Sequence, residues 1–180
     1  EFTPYVVRPK ARLELLAQVT KGDRRAIKEL SDLFDEILNT EAPIEMERFG
    51  KLVCNSLGYG RVVPDRLYQV LSFVPKKQII GDAIGSFIWN KYQNEKSWNL
   101  YRTSIDEASR NHNEICVSEY ANALVDIVHR SHSFGREDAL KSIAEIFGFK
   151  RITAPIRVSI EQGMKKALKA LMVQHLGETA

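Results

Sequence analysis

The sequence predicts a mainly α-helical chain of tandem winged-helix-like (helix-turn-helix) repeats, with a small β-hairpin wing in the first copy. Apolar residues recur at spacings of three and four in six segments, the mark of helices with one buried face. The turn Gly58-Tyr59-Gly60-Arg61 returns ninety positions later as Gly148-Phe149-Lys150-Arg151. Between the two groups of helices, Gln78-Ile79-Ile80 and Ser86-Phe87-Ile88-Trp89 flank a glycine-punctuated turn and read as two short strands.

Residues 1–22 form an N-terminal segment in which Tyr5-Val6-Val7 reads as a short strand and Leu13, Leu15, Leu16 and Val19 as helix. The opening Glu1-Phe2 fits a cloning remnant, and without an initiator Met the chain is expected to be excised from a larger protein. The first repeat spans 23–90. Asp23 is an N-cap for a helix whose stripe is Ile27, Leu30, Phe34, Ile37 and Leu38. Phe49, Leu52, Val53 and Leu57 make a second stripe that Gly58 closes as a left-handed C-cap, and Pro64-Asp65 start a third helix that Pro75 stops. Residues 91–115, polar and aperiodic, are expected to be a linker anchored by Tyr92, Trp98 and Tyr101.

The second repeat spans 116–180. Ser118 is its expected first cap, before the stripe Val117, Tyr120, Ala121, Leu124, Ile127 and Val128. At an ungapped offset of ninety, Ile37 falls on Ile127, Ile44 on Phe134, Val53 on Ile143, Leu57 on Phe147, Gly58 on Gly148 and Arg61 on Arg151. The last helix carries Ile156, Ile160, Met164, Leu168 and Leu171; Gly163 costs about 1 kcal/mol there relative to Ala unless something packs closely against it. No hairpin follows Leu176, so the second copy is expected either to lack a wing or to have been cut before it.

With 180 residues, 44% apolar and 27% charged, the composition is that of one good-sized globular domain or two small ones. No run approaches the roughly 18 apolar residues of a membrane span, so a cytoplasmic protein without membrane contact is expected. Cys54 and Cys116 are isolated, which excludes a local metal knuckle and fits a reducing compartment. The net charge of +3 identifies no partner, but its distribution is informative. Residues 33–60 carry −3 and 61–102 carry +4; residues 103–147 carry −4 and 148–180 carry +4. Each repeat therefore has acidic early helices and a basic turn and third helix, the end a helix-turn-helix presents to phosphates.

That pattern names the candidate phosphate contacts: Arg61, Arg66, Lys76, Lys77, Lys150, Arg151, Arg157, Lys165, Lys166 and Lys169. Few Asn or Gln accompany them, so little base specificity is expected. The competing reading of Arg61 and Arg151 is a scaffold role, paired with a first-helix carboxylate such as Glu36 or Asp126. A solvated face is the competing reading of the last helix, where Glu161 and Lys165 form an i,i+4 pair. His129 and His132 share a spacing of three, but no further ligand follows them at metal-site spacing. There is no phosphate-binding glycine loop and no nucleophile elbow; Cys54 reads as a small core residue. The chain is not expected to be an enzyme, and no cofactor, metal or small-molecule substrate is indicated.

With these features in view the chain resembles a C-terminal domain of unknown function (number 3320) found in large superfamily 1 DNA helicase-like proteins. The resemblance runs from about residue 30 to 170. It rests on Glu41-Ala42-Pro43-Ile44, Gly58 to Arg61, Gly85-Ser86-Phe87-Ile88-Trp89, Trp98-Asn99-Leu100-Tyr101-Arg102, Glu119 to Leu124, and Gly148 to Arg151 followed by Ile156-Arg157. Pro155 stands where that family tends to have an arginine. The resemblance implies a parent that is an ATP-dependent DNA helicase or translocase, whose motor is outside this chain. The expectation is an accessory domain binding duplex or forked DNA. The alternative is a protein-interaction module that docks on the motor domain of the parent chain or on another protein.

Overall fold

The computed structural model describes residues 1–104, 110–130 and 135–177. Over these residues the chain forms seven α-helices and one three-stranded antiparallel sheet, in two compact units. The first unit comprises Thr3–Gly81 and Ser86–Gln93; the second comprises Glu1–Phe2, Asp82–Gly85 and the chain from Asn94 onward.

In the first unit α1 (Leu15–Thr20) precedes α2 (Arg24–Glu41). Asp23 caps α2 as the sequence predicts, its carboxylate accepting from Arg25 N at 2.8 Å and Ala26 N at 3.0 Å. Strand β1 (Ile44–Glu45) leads directly into α3 (Met46–Ser56), which is followed by α4 (Pro64–Ser72), a single 3-10 turn at Lys76–Gln78, β2 (Ile79–Gly81) and β3 (Ser86–Ile88). The sheet order is β1-β3-β2, with Ile88 paired to Ile44 on one side and Ile79 on the other. Leu30, Phe34, Ile37 and Leu38 of α2 pack against Phe49, Val53, Leu57 and Val70. Phe34 and Phe49 meet edge to face at 5.0 Å, the geometry the ring quadrupoles favour.

Two expectations for this unit change. Tyr5-Val6-Val7 forms no strand. Instead Tyr5 N donates to Glu41 Oε1 at 2.7 Å, so a buried carboxylate ties the segment down. Strand β1 was not foreseen, because two residues carry no alternation to read.

The second unit contains α5 (Val117–Arg130), α6 (Arg136–Ile146) and α7 (Ala154–Gly177) around a core of Tyr120, Leu124, Leu140, Ile143, Phe147 and Ile160. Gly163 of α7 does have a close neighbour: a Cβ there would lie 2.2 Å from Tyr120 Cβ and 2.9 Å from Ala121 N. The helices α5 and α7 approach each other through that missing side chain. Ser118 is not the cap of α5, which starts one residue earlier. Asp82 Oδ2 accepts from Val117 N at 2.8 Å, and Ser118 Oγ instead donates to Glu95 Oε1 at 2.9 Å.

The segment expected to be a linker is anchored to α5 by side chains. Asn122 Nδ2 donates to Trp98 O at 3.0 Å and Leu100 O at 2.8 Å, and Arg102 N donates to Glu119 Oε2 at 3.0 Å. Tyr101 donates to Asp126 and packs on Phe147. Tyr92 is not an anchor; 84% of it is exposed. Phe134, His132, residues 105–109 and residues 178–180 lie outside the described residues, so the Ile44–Phe134 match, the His129–His132 spacing and the search for a second wing meet no structure there.

Candidate functional site

Both candidate sites are built on the same turn. Helix α3 ends through Leu57, and Gly58 follows at φ +91°; α6 ends through Phe147, and Gly148 follows at φ +75°. Leu57 N donates to Val53 O, Gly58 N to Asn55 O and Tyr59 N to Cys54 O. Phe147 N donates to Ile143 O, Gly148 N to Glu145 O and Phe149 N to Ala144 O, each bond displaced by the same ninety positions. Backbone in the left-handed region suits glycine alone without cost, and here it satisfies the last carbonyls of the helix. Three residues on, Arg61 and Arg151 stand exposed, and among the described residues neither has an ion pair. The scaffold pairing with Asp126 is not formed, since that carboxylate takes Tyr101 and Arg130.

The remaining cations of the first unit do not share one face. The Arg66 guanidinium lies over the Tyr59 ring, 3.8 Å from its centroid, and the Tyr59 hydroxyl donates to Leu13 O. Lys76 and Lys77 are exposed in the turn after α4. A nine-residue helix is about 13 Å long, which puts them at the opposite end of α4 from Arg61. The outward face between them carries Asp65, Tyr68 and Ser72. It is not basic, as the sequence had suggested, because the charge of this segment sits at the helix ends.

In the second unit the basic residues of α7 divide three ways. Arg157 pairs with Glu137, at 2.8 and 3.1 Å, and approaches Glu161 at 4.0 Å. Lys166 pairs with Glu95 and Ser118 Oγ, and its hydrogen bond holds the Glu95 carboxyl below its ordinary value. At 100° per residue, positions nine apart face opposite ways, so these two cations grip neighbours on opposite flanks of the helix. Lys165 and Lys169 point outward with Val158, on a helix of 24 residues that runs about 36 Å. Lys150 and Arg151 are exposed in the turn before it. The N-terminal half of the outward face is apolar: Ala154, Pro155 and Val158 border a shallow depression of about 450 Å3 with Ile84 and His112. His112 Nδ1 lies 2.9 Å from Ser159 Oγ at its edge.

Sequence reasoning missed the strongest electrostatic feature. Glu119 is completely buried, with Arg102 Nη2 at 2.5 Å and Arg110 Nη1 at 2.7 Å. Burial alone would raise its pKa, but the guanidinium groups of Arg102 and Arg110 outweigh burial and hold it at about 2. The Phe2 ring lies under both arginines, 5.3 Å from the Arg102 and 4.3 Å from the Arg110 guanidinium. The only sequence signal was an acid inside an otherwise apolar helical stripe, with two arginines upstream. Two of the segments on which the expected resemblance rests, Trp98 to Arg102 and Glu119 to Leu124, clamp each other here. Their side chains hold the unit together.

Comparison with family models, curated proteins and solved structures finds no match to this chain. Among the described residues no helix is long and apolar enough to cross a membrane.

Proposed function

We propose that this chain is an accessory nucleic-acid-binding domain, with two winged-helix-like repeats, that grips duplex or forked DNA through its phosphates for a larger helicase-like protein. The observation that carries the reading is the pair Arg61 and Arg151: same turn, same offset, both exposed and neither with an ion pair among the described residues. An arginine left unpaired just before a third helix is placed to receive a phosphate. In the first unit the helices α2, α3 and α4 precede the β2-β3 hairpin in a small antiparallel sheet, and this order supports the same reading. The resemblance to the helicase-associated domain supplies the parent.

Lys165, Lys169, Lys76 and Lys77 join the two arginines as contacts; Arg157 and Lys166 serve the scaffold first. Fluorescence anisotropy of a labelled duplex across a salt series tests this. Log affinity falls linearly with log salt, and Arg61→Ala with Arg151→Ala lowers the slope by about one each. Absence of binding at low salt overturns the proposal.

Protein docking is the second reading, and Tyr68 and Val158 favour it. They occupy equivalent positions on α4 and α7 and are 78% and 55% exposed. Exposed apolar residues at the centre of an outward helix face suit a protein surface such as the parent's motor domain. Under this reading Tyr68→Ser and Val158→Ser abolish binding to the motor domain while duplex affinity is unchanged.

A further inference from the structure

We infer that the first unit holds a pocket for a nucleoside 5′-phosphate, in which Arg8, Lys10 and Arg25 receive the phosphate and an apolar wall receives the body of the ligand. This goes beyond the proposed function and does not depend on it.

A cavity of about 420 Å3 lies between the segment before α1, the first half of α2 and the end of α3. That is within the roughly 300–1,000 Å3 typical of small-molecule sites. Its outer wall is fixed by backbone bonds, Lys10 N to Ser56 O at 2.8 Å and Arg12 N to Leu57 O at 3.0 Å. Leu33 forms the apolar side with Leu15 and Leu57 buried behind it, and Tyr5 adds a hydroxyl. Burial and the neighbouring Glu36 carboxylate push the Tyr5 phenol up.

The charges around this cavity are unequal. Arg12 pairs with Glu29 at 2.7 Å and Lys28 with Asp32 at 2.6 Å. Arg8, Lys10 and Arg25 line the same cavity without an ion pair among the described residues, against one remaining carboxylate, Glu36. Unpaired cations beside a concave apolar wall match a ligand with an anionic end and a flat, weakly polar body. Arginine donors in fork geometry suit a phosphate oxygen pair better than a single halide. A free nucleotide and the 5′-phosphorylated end of a strand offer this same chemistry.

Isothermal titration of the whole chain with adenosine 5′-monophosphate, adenosine and inorganic phosphate tests the pocket. The expected result is that the monophosphate binds at least about tenfold more tightly than adenosine. Arg25→Glu and Lys10→Glu each weaken it by about tenfold or more, Lys10→Gln weakens it less, and Lys165→Glu with Lys169→Glu leaves it unchanged. Circular dichroism of each variant checks that the helices are retained. A four-residue oligothymidylate with and without its 5′-phosphate separates the sources: preference for the phosphorylated end assigns a strand terminus, and equal affinity assigns the free nucleotide. Monophosphate binding no tighter than that of adenosine, or unaltered by Arg25→Glu and Lys10→Glu, overturns the inference. Duplex binding without nucleotide binding sinks the pocket alone; nucleotide binding without duplex binding sinks only the nucleic-acid reading.

Discussion

The two units share a frame and differ in how they close it. Helices α3 and α6 begin and end ninety positions apart, at Met46 and Arg136 and at Ser56 and Ile146, and α4 and α7 begin ninety apart at Pro64 and Ala154. Val53 and Ile143, Leu57 and Phe147, and Val70 and Ile160 are all buried at matching places. Beyond that frame the first unit closes with a three-stranded sheet and the second with a long helix and an irregular segment tied to α5. Among the described residues each also buries one glutamate. Glu41 meets Arg48 Nε at 2.6 Å, and Arg48 keeps 19% of its side chain in solvent; Glu119 meets Arg110, which keeps 2%. The turn and its flanking apolar positions recur together in both units, while the closing elements differ.

Removing the two carboxylates breaks this comparison most sharply. Glu119→Ala leaves Arg110 buried and unpaired and is expected to cost about 3–5 kcal/mol by urea denaturation. Glu41→Ala frees Arg48 to reach water and costs about 1–3 kcal/mol. Equal losses would mean that water reaches Arg110 and that the two closures are energetically alike.

Acid acts on the same site more gently, because a protonated Glu119 keeps part of its hydrogen bonding. Its folded pKa of about 2 lies below the ordinary 4.5, so its contribution is fully present above pH 4.5 and is lost as pH falls from there towards 2. Stability measured against pH should decline in that window in the native chain and more shallowly in Glu119→Gln.

The glycines give the smallest contrast. Gly163→Ala drives a methyl group into Tyr120 Cβ and the Ala121 backbone and is expected to destabilise by about 1–3 kcal/mol. At Gly50 the obstructing atom, at 2.2 Å, is Leu67 Cδ1, the far end of a side chain that can turn away. There the gain in helix propensity, about 1 kcal/mol, offsets the repacking, and melting temperature should hardly move. A large loss at Gly50 would show that α3 and α4 are packed as rigidly as α5 and α7.

The frame was legible because its information is local and periodic. Three-and-four spacing marks α2 to α7, and glycine marks Gly58 and Gly148 because few other residues accept a positive φ. The segment from Trp98 to Arg102 was illegible because its backbone groups bond to Asn122 and Glu119, some twenty positions away, and a periodicity reading looks only at neighbours. The basic site was half legible. The ninefold spacing of Arg157 and Lys166 already put them on opposite flanks, but Glu95, the partner of Lys166, lies 71 positions upstream. Arg8, Lys10 and Arg25 escaped notice because no single element contains them.

The clamp between Asn122 and the carbonyls of Trp98 and Leu100 is, in effect, a hydrogen-bond ladder whose second rail is made of side chains. A sheet rail can slip by two residues and still find partners, since every residue offers the same groups. This rail cannot slip at all. Asn122, Glu119 and Asp126 recur along α5 at helical intervals and meet specific groups of the facing segment: the Trp98 and Leu100 carbonyls, Arg102 and Tyr101. Deleting or inserting a single residue between Trp98 and Arg102 therefore puts the anchors on its two sides out of phase with each other. A stretch without regular secondary structure is thus intolerant of a change in length.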